Sequence, residues 1–437
     1  MEVWGIPWWV IALAAVGAVS IVSAVLTLFV PLNRPPHYSL TSCPAPGSDE
    51  FMQAAAGVVN APMMKGGTAR LLNNGVEIFP ALTKALREAE CTIDFMVYIW
   101  KDGAASDQLI EVLEERARAG VQVRLMLDAL GAARAPRDKL ERITEAGGKL
   151  AFFQPFRFGR MTAVYKRNHR RAMIVDGRVA FTGGAAVDDI WLGDAQDAEH
   201  WRDVMVEIHG CLATNLQSAF SQLWAATTGE ILVGENFYPT DHDEEDEREG
   251  PGEALSRHIH VTSSPNIAAQ PLRVFFFLSM SCARESIYIT NPYFAPGDEI
   301  RESLKDRARD GADVRLLVPG RHTDAPYVRY AAHAFYQEMM EAGVRIYEYQ
   351  PTMLHAKMLV VDGQWSVVGS ANMDVRSKEL NQEAVIGVLD KGFGQQLVDT
   401  FHRDLDDARE ITLDEWKTRG PLAQLRERFW LAFVNQM

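Results

Sequence analysis

Two stretches of the chain carry the same reactive set at the same spacing. The first holds His169, Arg171 and Asp176, then Gly183-Gly184; the second holds His355, Lys357 and Asp362, then Gly369-Ser370-Ala371-Asn372. In a strand, side chains alternate between faces. His169 and Arg171 therefore share a face, as do His355 and Lys357, and the apolar run after each pair fixes its strand in a core. The Asp-Gly that ends each run is a hairpin signal. The glycines allow close backbone approach to an anion, and Ser370 and Asn372 can donate hydrogen bonds. Such a set suits phosphodiester transfer. One imidazole attacks phosphorus and a second protonates the departing alkoxide, both tasks fitting a group of pKa about 6.5. Cations and hydroxyl or amide donors hold the non-bridging oxygens as charge builds. The cations replace a metal, so neither metal nor cofactor is expected. One His-x-Lys strand would also describe a solvated edge; two aligned copies argue against that.

The elements that position these residues are also written twice. Residues 115–126 resemble residues 306–317: a helical approach, a Gly past the helix end, then an alternating apolar strand. Short β-rich runs precede them at 93–99 and 287–293, and a second helix and strand follow at 139–153 and 331–349. The βαβαβ alternation predicts an α/β fold of two duplicated α/β/α lobes with mixed, mostly parallel sheets. The lobes are expected at 71–235 and 256–410, packed about a pseudo-two-fold axis that carries the site. Residues 236–255 read as an acidic linker, with seven acids and one Arg between 241 and 249.

The chain has 437 residues, 47% hydrophobic and 23% charged, with a net charge of −14. This excludes a disordered, collagenous or coiled-coil protein and disfavours a nucleic-acid partner. The 4 cysteines lack zinc-ligand or disulfide-scaffold spacing. Residues 8–30 are uncharged and long enough, as a helix, to cross a hydrocarbon core of roughly 30 Å. Trp4, Trp8 and Trp9 fit an interfacial belt, and Pro31, Pro35 and Pro36 end the run. Without a basic stretch before it or a small-residue cleavage site after it, the run reads as a retained transmembrane helix, the anchor spanning 1–36. Cys43 lies too far past it for a lipoprotein site. A linker is expected at 37–70 and an amphipathic tail at 411–437. Arg34, Lys65 and Arg70 favour a cytoplasmic catalytic domain.

These paired strings resemble the HKD motifs of the phospholipase D superfamily, over roughly residues 71–390. Within it the chain is most similar to bacterial cardiolipin synthases, through Asn291-Pro-Tyr-Phe-Ala-Pro, Thr182-Gly183-Gly184, Trp201-Arg-Asp203, and Gly369 to Ser377 with Asn381 and Glu383. The resemblance implies that His169 is the nucleophile, forming a phosphohistidine. It makes His355 the general acid, then the base toward the acceptor. Lys357, Ser370, Asn372 and Gly184 would bind phosphate, and Glu383 and Asp203 would orient the imidazoles. Asp176 and Asp362 complete the motif and are expected to be structural rather than chemical. The chain departs from the pattern at Arg171, where Lys is usual, and at Ala186, which stands where the second copy has Asn372. The half-sites are thus unequal, which does not by itself show which histidine does which task.

The substrate implied is an anionic phospholipid, phosphatidylglycerol, at a bacterial inner membrane, with cardiolipin and glycerol as products. A basic cluster at Arg157, Arg160, Lys166, Arg167, Arg170 and Arg171, interleaved with aromatics, could meet headgroups or form a solvated loop. Residues 422–434 could lie at a membrane interface or pack on the core. A hydrolytic phospholipase shares every residue. A nuclease shares the chemistry but not the charge or the anchor. A catalytically silent membrane scaffold would explain Arg171 and Ala186 as decay.

Overall fold

The computed structural model describes residues 2–3, 6–7, 9–10, 13–14, 16–17, 36–155, 166–240, 256–264, 270–374 and 381–431. The apolar run at 8–30 lies mostly outside them. Within it residues 9, 10, 13, 14, 16 and 17 are helical, and no helix among the described residues is long and apolar enough to cross a membrane. The acidic stretch 241–255 also lies outside them.

The strands of the two large sheets are, in chain order, β1 (Met63–Lys65), β2 (Thr68–Asn73), β3 (Thr92–Val97), β4 (Gln122–Asp128), β5 (Lys149–Phe153), β6 (Ala172–Val175), β7 (Val179–Gly183) and β8 (Val204–His209). They continue as β9 (Arg257–Ser263), β10 (Ser286–Thr290), β11 (Asp313–Pro319), β12 (Arg345–Tyr349), β13 (Met358–Val361), β14 (Trp365–Gly369), β15 (Glu383–Leu389) and β16 (Ala408–Ile411). The first sheet runs β2-β8-β7-β6-β3-β4-β5, and the second β16-β12-β11-β10-β13-β14-β15-β9-β1. Strand for strand, β2 to β8 repeat as β9 to β15, with β1 and β16 added at the second sheet's edges.

The sheets are mixed, but not mostly parallel as the alternation predicts. Parallel pairing is confined to β3-β4-β5 and β10-β11-β12, where crossover helices such as Ala104–Arg118 and Asp298–Arg309 intervene. Each motif strand instead turns back on its neighbour at an Asp-Gly, and so tight a turn forces antiparallel pairing. The helix stops fall where the glycines stand: Gly120 and Gly311 take φ of 93° and 97°, a conformation costly for residues with a Cβ.

One apolar core lies within each half. A third spans the seam, joining Met96, Ile174 and Val206 to Leu317, Val360 and Ile386. The expected linker at 37–70 is not merely a connector. Its helix Asp49–Val59 is capped by Ser48, whose Oγ accepts from the Phe51 amide at 3.1 Å. Phe51, Met52 and Ala55 enter the second half's core, Phe51 packing edge-on to Trp365 at 5.2 Å. β1 then pairs with β9 before the chain crosses to the first sheet.

Candidate active site

The segment entering each motif strand crosses the seam and pairs with the other half. The His169 amide donates to the Gln382 carbonyl at 2.9 Å and the Gln382 amide to the Arg167 carbonyl at 2.8 Å. In the equivalent place the His355 amide donates to the Arg202 carbonyl at 2.7 Å and the Arg202 amide to the Met353 carbonyl at 2.9 Å. Two short parallel bridges result, Asn168 with Gln382 and Arg202 with Leu354. The residue after Gln382 is Glu383, and the residue after Arg202 is Asp203. Each histidine is thereby set against a carboxylate of the opposite half: His169 Nδ1 lies 3.3 Å from Glu383 Oε1, and His355 Nδ1 lies 2.6 Å from Asp203 Oδ2. A carboxylate on Nδ1 fixes the tautomer and turns Nε2 outward as the reacting nitrogen.

The two pairs are built differently. Ser370 Oγ donates to Glu383 Oε2 at 2.5 Å and accepts from the Ala384 amide at 3.0 Å. Gly184 holds the equivalent place in the first half. A Cβ there would meet Asp203 Oδ1 at 2.1 Å, so glycine lets the shorter carboxylate close in. The indole of Trp191 donates to Asp203 Oδ2 at 2.8 Å, and the Val204 amide donates to Oδ1 at 2.8 Å. Burial raises the Asp203 carboxyl, but His355, its hydrogen bond, Lys357 and Trp191 outweigh that, leaving it below its ordinary range.

The cations curl back alike. Arg171 donates to the His169 carbonyl at 2.9 Å and Lys357 to the His355 carbonyl at 2.6 Å. Lys357 Nζ sits 3.1 and 3.2 Å from the two ring nitrogens of His355. Burial, reinforced by Arg171, pushes Lys357 down to about 7. Burial and Lys357 push His355 down to about 4. Arg171 is also lowered, chiefly by burial, against the opposing pull of Glu383 and Asp203. Its Nε is buried with no hydrogen-bond partner among the described residues. Carboxylates and cations of both halves thus act on one another across one centre.

The rings differ in exposure. The His169 side chain is 21% exposed and its ring lies 4.1 Å from that of Tyr98, tilted by 41°. His355 is 8% exposed and walled by Trp201 at 5.2 Å, Trp191 at 5.6 Å and Tyr293 at 6.2 Å. Sequence reasoning missed Trp191, Tyr98 and Tyr293 as parts of the site, since aromatic residues far apart along the chain carry no pattern that marks them.

The remaining expected residues are placed as follows. Asp176 and Asp362, grouped with the catalytic motif but expected to be structural, sit in their turns at φ of 53° and 51°. Asp176 accepts the amides of Glu90, Cys91 and Thr92, and Asp362 those of Arg284, Glu285 and Ser286. They brace hairpins and touch neither imidazole. Gly184, expected to bind phosphate, has its amide committed to the Val204 carbonyl. The Ser370 hydroxyl holds Glu383. Asn372 is buried near them at 6% exposure. Asn381 Nδ2 lies 3.3 Å from His169 Nδ1 and donates to Glu383 Oε1 at 3.5 Å, the carboxylate that holds the ring. Of the basic cluster, residues 157 and 160 lie outside the described ones, while Arg167, Arg170 and Arg171 are buried. Arg170 spans the seam to the Ser263 carbonyl and Gln382, so it braces the interface rather than meeting headgroups.

A duplicated fold with a histidine, a cation and a borrowed carboxylate in each half defines a phospholipase D-like protein. Residues 82–224 and 278–405 match the family described as "Cardiolipin synthase, PLD-like domain", and the chain belongs to that family, the phosphatidyltransferases of the cardiolipin synthase type. It is similar to Cardiolipin synthase 2 of Bacillus anthracis, 33% identical over 351 residues, 80% of this chain and 67% of that one. It is also similar to Cardiolipin synthase of Geobacillus kaustophilus (strain HTA426), 33% identical over 376 residues, 86% and 73% of the two chains. The fold is shared with phosphatidylserine synthase of Haemophilus influenzae Rd KW20, at a TM-score of 0.63 and 12% identity, over 89% of this chain and 99% of that one.

Proposed function

We propose that the protein moves a phosphatidyl group from one phosphatidylglycerol to another, giving cardiolipin and glycerol. The observation that carries this reading is the crossed pairing of His169 with Glu383 and His355 with Asp203. His169 Nε2 attacks phosphorus and the bond to the glycerol oxygen breaks. The proton held by the Lys357–His355 pair passes through His355 to that oxygen, and glycerol leaves. The hydroxyl of a second phosphatidylglycerol then gives its proton to His355 as its oxygen attacks phosphorus, and the P–N bond to His169 breaks. Greater exposure favours His169 as the nucleophile. Lys357 and Arg171 hold the phosphate oxygens, and the buried unpaired Nε of Arg171 fits an anion. The uncharged run at 8–30 supports a single-pass inner-membrane anchor, Arg34, Lys65 and Arg70 after it favour a cytoplasmic catalytic body, and lobe limits at 71–235 and 256–410 follow the repeat.

The test is mass spectrometry of products from the full-length protein in phosphatidylglycerol vesicles. Cardiolipin with equimolar glycerol, abolished by His169→Ala, is expected. Phosphatidic acid without cardiolipin would make the enzyme a hydrolase, and no product at all would favour the scaffold.

A further inference from the structure

The helix Pro421–Leu431 has its polarity reversed for a helix resting on a protein surface. Its packed face carries a charge: Glu427 is 3% exposed, accepts from Arg419 Nη2 at 2.9 Å and lies 3.8 Å from His333 Nδ1. Its outer face carries the large apolar side chains, Leu422 at 81%, Leu425 at 65% and Phe429 at 56% exposure. At 100° per residue these three fall within one narrow stripe opposite Glu427. Glu427 is the helix's one acid, while Arg426 and Arg428 stay at the surface beside the stripe in a chain of net charge −14. Arg426 is steadied over the Tyr330 ring at 3.8 Å.

The helix is also one side-chain layer from the chemistry. Trp430 and Tyr293 flank the same small cluster of Ala295, Ala325, Val328 and Ala331, and the Tyr293 ring is 6.2 Å from that of His355. We infer that Leu422, Leu425 and Phe429 seat this helix in an anionic phospholipid bilayer and hold the catalytic centre at its surface. An apolar stripe flanked by cations and free of acids is what the interface of such a bilayer accommodates. The buried Glu427–Arg419 and Glu427–His333 contacts fix the helix's roll, so the stripe stays outward. The inference rests on the proposed phospholipid substrate for its purpose, though not for its test.

The test labels Leu425→Cys with an environment-sensitive fluorophore in full-length protein also carrying Cys43→Ser and Cys91→Ser. The protein is reconstituted in phosphatidylcholine vesicles with and without phosphatidylglycerol. A blue shift with quenching by brominated lipid, stronger with phosphatidylglycerol, is expected. Quenching by aqueous iodide with no lipid response would overturn the inference, as would cross-linking of position 425 to a second copy or to residues 8–30. In a second arm, Leu425→Ser/Phe429→Ser is expected to lower turnover of bilayer phosphatidylglycerol on the order of tenfold and to spare a monomeric short-chain analogue. An equal loss on both substrates would overturn it. Wild-type protein inactive on both would count against the proposed reaction while the fluorophore still reports docking.

Discussion

Asp203→Asn tests the crossed pairing most directly. Three donors converge on the two Asp203 oxygens: the His355 ring, the Trp191 indole and the Val204 amide. A carboxamide offers one acceptor oxygen, so in either orientation its NH₂ opposes a donor. The reaction loses a charge-assisted hydrogen bond, about 1.5–3 kcal/mol, or roughly 10- to 150-fold in rate. If His355 also adopts the wrong tautomer, the loss approaches about 10⁴-fold. A p-nitrophenyl phosphatidyl ester separates the steps, because its leaving group needs no proton. The variant is expected to retain a p-nitrophenol burst, turn over slowly and accumulate a phospho-enzyme labelled at His169. Loss of the burst as complete as in His169→Ala, or a label on His355, would refute the assignment of roles.

Other outcomes follow from the same geometry. His355 is depressed to about 4 and Lys357 to about 7, so between these values the pair carries one proton. The acceptor step needs neutral His355 and fails as pH falls through about 4; the leaving-group proton and the Lys357 charge are lost as pH rises through about 7. Lys357→Arg keeps the charge but holds no releasable proton, since a guanidinium does not titrate in this range; turnover with glycerol as leaving group should fall roughly 100-fold while the burst with the p-nitrophenyl ester is spared, as pH–rate profiles of the two substrates would reveal. Gly184→Ala places a Cβ against Asp203 and should cut kcat by roughly 100-fold or more while lowering the melting temperature. Asp176→Ala strips the acceptor from three backbone amides. It should cost about 1–3 kcal/mol in denaturant unfolding while changing kcat less than about threefold.

The reactive set was legible because duplication repeats it at one spacing, but not through strand alternation: His169, Arg171, His355 and Lys357 stand just before the strands Ala172–Val175 and Met358–Val361 rather than on their faces. The βαβαβ core of each half was legible for the same reason. Sheet direction was not, because the Asp176-Gly177 and Asp362-Gly363 turns reverse the chain inside what otherwise reads as a parallel order. Nor was the crossing of Glu383 to His169 and Asp203 to His355, which depends on two backbone bridges, Asn168 with Gln382 and Arg202 with Leu354, that sequence separation hides. Trp191 becomes visible only once Asp203 is seen to need a donor in the place where Ser370 serves Glu383.

The early helix Asp49–Val59 and β1 impose an order on synthesis. Phe51 leaves the ribosome long before Trp365, the ring it finally meets at 5.2 Å. At about 5–20 residues per second, that interval is roughly 15–60 s. For that time the apolar face of the helix waits, and the edge of β1 stays open until β9 (Arg257–Ser263) is made. The early segment is therefore buried only after most of the chain has been synthesised, and translation speed sets the length of that exposure.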